Sequence, residues 1–307
     1  MNEDEFTISE FFIEVGNGHS LYVQDWGNKR AKSTIIFLHG GPGSGSKDKH
    51  KNLFYPDKQR VIFFDQRGSG RSLPAGSLKH NTTKDLVEDI EKIAKHLKLD
   101  KFVLHGNSWG SALSLFYAIK YPKRVKAMVI CGVFTGSHAE INWLDGGQFR
   151  ATYPDAWDFY LSRTPKAHHD NPTAYHVKRA FGTDEKAVRE SAYAYNCLEG
   201  SIASFNDVFV PANIDEFDPS GTLIEMHYMK NHCFVPDRYV FNNINKLTMP
   251  IYLVEGRYDM ICPPTTAYEL GKVLPKSELI WALSGHSYEH ENWNINRTIL
   301  LRLSQEK

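Results

Sequence analysis

The chain is poor in the features that announce several classes of protein. Its 307 residues hold only four cysteines, Cys131, Cys197, Cys233 and Cys262, and none pairs in a C-x-x-C spacing. Neither zinc binding nor dithiol redox chemistry is indicated, and four free thiols are expected. Charge of one sign is not in excess, because 36 Lys plus Arg balance 36 Asp plus Glu. Nothing here suggests electrostatic capture of nucleic acid or of an anionic membrane. No apolar run approaches the roughly 18 residues of a membrane span; the longest, around Ala127 to Phe134, suits a buried strand. The start, MNEDEFTISEFF, is acidic and lacks the basic and apolar stretches of a secretory signal, so a cytoplasmic location is expected. A phosphate-loop lysine, a dinucleotide fingerprint, a metal-ligand cluster and internal repeats are missing too, so no cofactor or metal is expected.

What is present is a large apolar supply, 41% hydrophobic and 13% aromatic, ordered into a strand–helix rhythm. Phe11 to Val15 and Leu21 to Asp25 read as a hairpin around Gly16-Asn17-Gly18. Thr34 to Leu38, Arg60 to Phe64, Phe102 to Leu104 and Val125 to Ile130 are short apolar runs, as buried strands require. Between them, Lys84 to Leu97 puts Leu86, Ile90, Ile93 and Leu97 on one helical face. Such alternation predicts a mostly parallel sheet covered by helices on both sides. The rhythm stops after about Thr135 and resumes with strands at Ile251 to Glu255 and Glu278 to Leu283. The intervening text reads as helices at Ala156 to Ser162, Thr173 to Phe181 and Glu185 to Ser204. One α/β core, residues 1–134 and 242–307, interrupted by a helical insertion over 135–241, is the simplest organisation.

Gly106-Asn107-Ser108-Trp109-Gly110 is a G-x-S-x-G string with a strand before it and a helix pattern after it. In that setting the turn lifts a serine hydroxyl out of the backbone, and the glycines permit the close strand–helix approach. A serine nucleophile needs a base, and the base needs an orienting carboxylate. Asp259 and His286 each follow a late strand, in the chain order Ser, Asp, His that α/β hydrolases use. That position singles out His286 among 14 histidines, and it ranks Asp259 above Glu255, which ends its strand. His39-Gly40-Gly41-Pro42-Gly43 follows the third strand and offers the oxyanion donors: the backbone N–H of Gly41, with that of Trp109 after the nucleophile. His39 is expected to be a structural hydrogen-bonding residue. Cys262, three residues past Asp259, is expected to be a buried small hydrophobe.

These blocks resemble the proline iminopeptidase (prolyl aminopeptidase) family of α/β-hydrolase-fold serine peptidases. The likeness rests on HGGPG at 39–43, DQRGSGRS at 65–72, GNSWGS at 106–111, GRYD at 256–259 and SGHS at 284–287. It implies an exopeptidase that releases N-terminal proline from peptides, with the insertion as a cap carrying two glutamates for the free amino group. Ile224-Glu225-Met226-His227-Tyr228 matches the family's IE-x-HY, giving Glu225. Ala194-Tyr195-Asn196-Cys197-Leu198-Glu199 aligns with AW-x-x-WE, giving Glu199, with Tyr and Leu replacing the two tryptophans. Asn107 stands where the family usually has a second glycine. Two other readings remain: an esterase or amidase with a repurposed cap, and a non-catalytic ligand binder, which would need no complete Ser-Asp-His set. Ser108 excludes chemistry that requires a carboxylate nucleophile.

Overall fold

The computed structural model describes residues 6–204, 211–288 and 290–305. Residues 205–210 of the expected insertion, and residues 1–5, 289, 306 and 307 of the expected core, lie outside these. A single eight-stranded sheet has the order β1-β2-β4-β3-β5-β6-β7-β8. Its strands are β1 (Phe6–Gly16), β2 (His19–Asn28), β3 (Thr34–Leu38), β4 (Arg60–Phe64), β5 (Phe102–Ser108), β6 (Val125–Val133), β7 (Ile251–Gly256) and β8 (Ser277–Ala282). The hairpin β1–β2 and the β2–β4 pair are antiparallel; every other pairing is parallel.

Fully buried strands at the sheet centre explain the continuous apolar runs. Along β3, Ile36 and Leu38 face one core cluster while Ile35 and Phe37 face the other. The period-two alternation survives, but both faces are greasy because both are covered. On the first face pack α1 (Thr83–His96) and α2 (Trp109–Lys120); α9 (His290–Gln305) covers the second through Ile299, Leu300 and Leu303. Helix α1 starts on a capping box, with the Thr82 and Asp85 side chains each accepting from the other's backbone N–H. Helix α8 (Pro264–Val273) connects β7 to β8 and packs Ala267 and Leu270 into the first core cluster.

Between β6 and β7 the chain forms α3 (His138–Asp145), α4 (Pro154–Ser162), α5 (Pro172–Ala180), α6 (Glu185–Ala203) and α7 (Ser220–Lys230). These carry their own apolar cluster, including Leu144, Tyr160, Tyr195, Leu198 and Met226. The three insertion helices expected from sequence are present; α3 and α7 are additional. Helix α7 buries Thr222, Ile224, Met226 and Tyr228, alternate residues rather than one stripe, because it is wedged between core and insertion.

Hydrogen bonds tie α7 to the core. The Tyr228 hydroxyl donates to Asn81 Oδ1 at 2.9 Å, and Asn81 Nδ2 donates to the Arg67 carbonyl at 2.9 Å. The buried Arg67 guanidinium in turn grips both oxygens of Asp89 on α1, at 2.6 and 2.8 Å. A bidentate pair with its charges mutually satisfied tolerates this burial. The DQRG block therefore joins sheet, α1 and insertion beneath the site.

Candidate active site

Ser108 is the last residue of β5 and stands before α2, with φ 59° and ψ −127°. Positive φ is costly for a residue with a Cβ, and it turns the side chain out of the strand line. Glycine is obligatory on both sides. A Cβ on Gly106 would collide with the Gly110 backbone, and one on Gly110 with the Leu38 carbonyl.

Asp259 and His286 emerge just beyond the carboxyl ends of β7 and β8, so the parallel sheet brings them to the edge where Ser108 sits. His286 Nδ1 lies 2.7 Å from Asp259 Oδ2. Asp259 is fully buried, and its other oxygen accepts the backbone N–H groups of Ile261 at 2.9 Å and Cys262 at 2.7 Å. Those two donors fix the carboxylate's orientation. Burial opposes a charged imidazole at His286, but the charge and hydrogen bond of Asp259, helped by Glu199, outweigh it and raise the pKa above 6.5. A base poised in this way can take a serine proton and hold it. Ser108 and His286 line one solvent-open cavity, together with Gly41, Asn107, Glu199 and Glu225. In unliganded enzymes the nucleophile–base hydrogen bond is commonly loose and closes on substrate. Gly132, with φ 49°, makes room for the imidazole: a Cβ there would press on the His286 ring and on Asn107.

The loop after β3 lies against the elbow, where a Cβ on Gly40 would touch Ser108 Cβ at 3.4 Å. Gly41, φ 104°, lines the cavity beside Ser108, and the Trp109 amide opens α2, where backbone N–H groups lack helical acceptors. The Trp109 ring is buried and donates Nε1–H to Gln66 Oε1 at 2.8 Å. His39 Nε2 accepts the Gln66 backbone N–H at 2.9 Å while Nδ1 donates to the Gly40 carbonyl at 2.9 Å. It is thus a strut for the loop, as its position suggested. Glu255 is buried in β7 and accepts the Val133 N–H at 2.7 Å, so it supports the neighbouring strand. Cys262 is buried beside Ser108, and burial with the Asp259 and Glu255 charges pushes its thiol well above 9. A thiol so disfavoured as thiolate is no nucleophile.

Glu199 on α6 and Glu225 on α7 converge at the closed end of the cavity, which Ser108 and Gly41 also line. Burial raises both carboxyls, Glu199 to about 7 and Glu225 well above 4.5, and the charge of Glu199 pushes Glu225 further. Two carboxylates so placed repel each other, and a cation between them would relieve that repulsion. Two further residues line the same end, Asp145 on α3, which sequence reasoning passed over, and Tyr195 on α6, which it met only as the replacement for a motif tryptophan. Nothing in the local text marks Asp145, whereas Tyr195 stands four residues before Glu199 on the same helix, one turn away.

Residues 33–288 match the family described as alpha/beta hydrolase fold, and the chain belongs to that fold class. Solved structures agree on the fold. A metagenomic alpha/beta hydrolase, MGS-M2, superposes with TM-score 0.64 at 17% identity, covering 97% of this chain and 98% of that one. The proline iminopeptidase of Mycobacterium smegmatis gives 0.62 at 20% identity, covering 96% and 97%. Sequence relatives are closer. A probable proline iminopeptidase of Leptolyngbya boryana is 38% identical over 88% of this chain and 85% of that protein. The proline iminopeptidase of Arabidopsis thaliana is 36% identical over 90% and 74%. Within the α/β hydrolases, the chain belongs to the proline iminopeptidase family.

Proposed function

We propose that the protein is a serine exopeptidase releasing N-terminal proline from peptides through an acyl-enzyme. The observation that carries this reading is the pair of cap carboxylates, Glu199 and Glu225, at the closed end of the cavity that Ser108 lines. Proline's ring nitrogen, protonated at a free terminus, seats between them and sets the scissile carbonyl against Ser108. Two charge-assisted hydrogen bonds of about 1.5–3 kcal/mol each are enough to fix that register.

His286 Nε2 takes the Ser108 proton as Oγ attacks the carbonyl carbon. The tetrahedral oxyanion is held by the Gly41 and Trp109 N–H groups, while Asp259 stabilises the imidazolium. Collapse expels the shortened peptide as an amine, protonated by His286, and leaves a prolyl ester on Ser108. Water, deprotonated by the same imidazole, hydrolyses the ester and frees proline. In this division of labour the core, residues 1–134 and 242–307, supplies the chemistry and the cap, 135–241, the specificity. The reading extends to a cytoplasmic location, supported by four cysteines that are all free.

The test is hydrolysis of proline β-naphthylamide, its N-acetyl derivative and p-nitrophenyl acetate. Cleavage of the first with failure of the second is expected, because acetylation removes the charge and adds bulk at the closed end. Equal cleavage of blocked and free substrates would instead make the protein an esterase or amidase.

A further inference from the structure

The closed end of the cavity is over-supplied with negative charge. Among the described residues, four acids line it, Glu140, Asp145, Glu199 and Glu225, and no lysine, arginine or histidine does. Glu140 is spoken for: its carboxylate accepts from the backbone N–H groups of Thr135 and Ser137 and from both their hydroxyls. Glu199 and Glu225 are assigned above to the substrate's α-ammonium. Asp145 is left over. It is the last residue of α3 and half-buried, and its main-chain carbonyl accepts from Thr173 Oγ1 at 3.4 Å. No described donor reaches its carboxylate. Burial, with nothing to offset it, pushes its pKa up to about 7.

A second, independent feature sits beside it. Tyr195 is 1% exposed, lines the same space, and its hydroxyl has no hydrogen-bond partner among the described residues. Buried tyrosine hydroxyls are normally paired, so an orphan facing a cavity marks a position where a ligand atom belongs. Asp145 also acts electrostatically on Glu199 and Tyr195, which places the three groups in one neighbourhood. The remaining walls, including Ile141, Leu144 and Met229, are apolar and suit a short hydrocarbon stem.

Resting on the assignment of Glu199 and Glu225 to the α-ammonium, we propose that Asp145 and the Tyr195 hydroxyl form a second cation subsite, so that the enzyme also releases N-terminal residues with a short cationic side chain, of the ornithine type. The apolar stem lies along Ile141 and Leu144. The side-chain ammonium donates to the Asp145 carboxylate and to the Tyr195 oxygen. Bond making and breaking at Ser108 are the same as for proline.

The experiment compares the β-naphthylamides of proline, ornithine and norleucine. Ornithine and norleucine have side chains of equal heavy-atom length and differ in the terminal charge alone. Wild-type kcat/KM should favour ornithine over norleucine by about tenfold or more, as one charge-assisted hydrogen bond warrants. In Asp145→Asn and Asp145→Leu the ratio should fall to about one or below. Reading a ratio within each variant cancels any loss of folded enzyme. A wild-type ratio at or below one, or a ratio unmoved by both substitutions, overturns the second subsite. Should proline β-naphthylamide itself resist cleavage, the parent reading falls and takes this one with it. Proline cleavage with a flat ornithine-to-norleucine ratio removes the Asp145 assignment alone.

Discussion

Asp259→Asn should cost about four orders of magnitude in kcat while leaving the fold and KM nearly intact, and the structure says why. The aspartate's Oδ1 is held by two backbone donors, the N–H groups of Ile261 and Cys262 at 2.9 and 2.7 Å. An asparagine must keep its carbonyl oxygen there, because its amide –NH2 would face two N–H groups. The –NH2 then occupies the Oδ2 position, 2.7 Å from His286 Nδ1. Nδ1 is thereby forced to accept, the proton moves to Nε2, and the imidazole presents a donor to Ser108 instead of a base. The charge that stabilises imidazolium is lost with it. A triad with the wrong tautomer typically loses about 10⁴ in kcat, or about 5.4 kcal/mol of transition-state stabilisation. Steady-state kinetics on proline β-naphthylamide measure this directly, with circular dichroism to confirm folding. A kcat within about tenfold of wild type would refute the argument, since it would mean that the His286–Asp259 contact does not set the tautomer.

Ser108→Ala should abolish turnover, and a serine-reactive phosphonate should label wild type at Ser108 only; label elsewhere would move the nucleophile. Glu225→Gln should raise KM for proline β-naphthylamide by about 10- to 100-fold with a smaller effect on kcat, because the lost contact is made in ground and transition state alike; an unchanged KM would release Glu225 from that role. The acid limb of kcat/KM should lie above pH 6.5, since the base must be neutral in the free enzyme and Asp259 raises the His286 pKa; a limb well below 6.5 contradicts this. Glu199 and Glu225 have folded pKa values above their unfolded ones, so the folded state binds the extra protons and its stability falls as pH rises from about 4.5 through about 7. Glu225→Gln should therefore gain thermal stability over wild type at pH 8 and gain little at pH 5 in paired melting curves; equal gains at both would show that the pair is not strained by charge.

The nucleophile, its base and the acid were legible in the sequence because each depends on a few consecutive residues. The elbow's strand, glycines and helix are contiguous, and Asp259 and His286 follow recognisable strands whose parallel pairing forces their ends to one edge. The central strands announced themselves through unbroken apolar runs. Boundaries were less visible: β5 extends to Ser108 through Gly106 and Asn107, which lack strand propensity, because pairing with β6 holds them. Helix α7 was not found, since burial of alternate residues imitates a strand when a helix is pressed from two sides. The family resemblance supplied Glu225 and Glu199 from short motifs, but their convergence over Ser108 depends on how α6 and α7 pack.

What the sequence by itself determined, then, is the chemistry at the carboxyl edge of the sheet, where backbone hydrogen bonding between neighbouring strands fixes positions to within one residue of register. What only the tertiary structure decided is the closed end of the pocket. Asp145, Tyr195, Glu199 and Glu225 come from three helices of the insertion, and side-chain packing alone brings them together. Helical spacing sets Tyr195 and Glu199 on one face of α6, but no periodicity encodes their meeting with Asp145 and Glu225. Their raised pKa values, and a Tyr195 hydroxyl without a partner among the described residues, arise from burial, which local sequence cannot express.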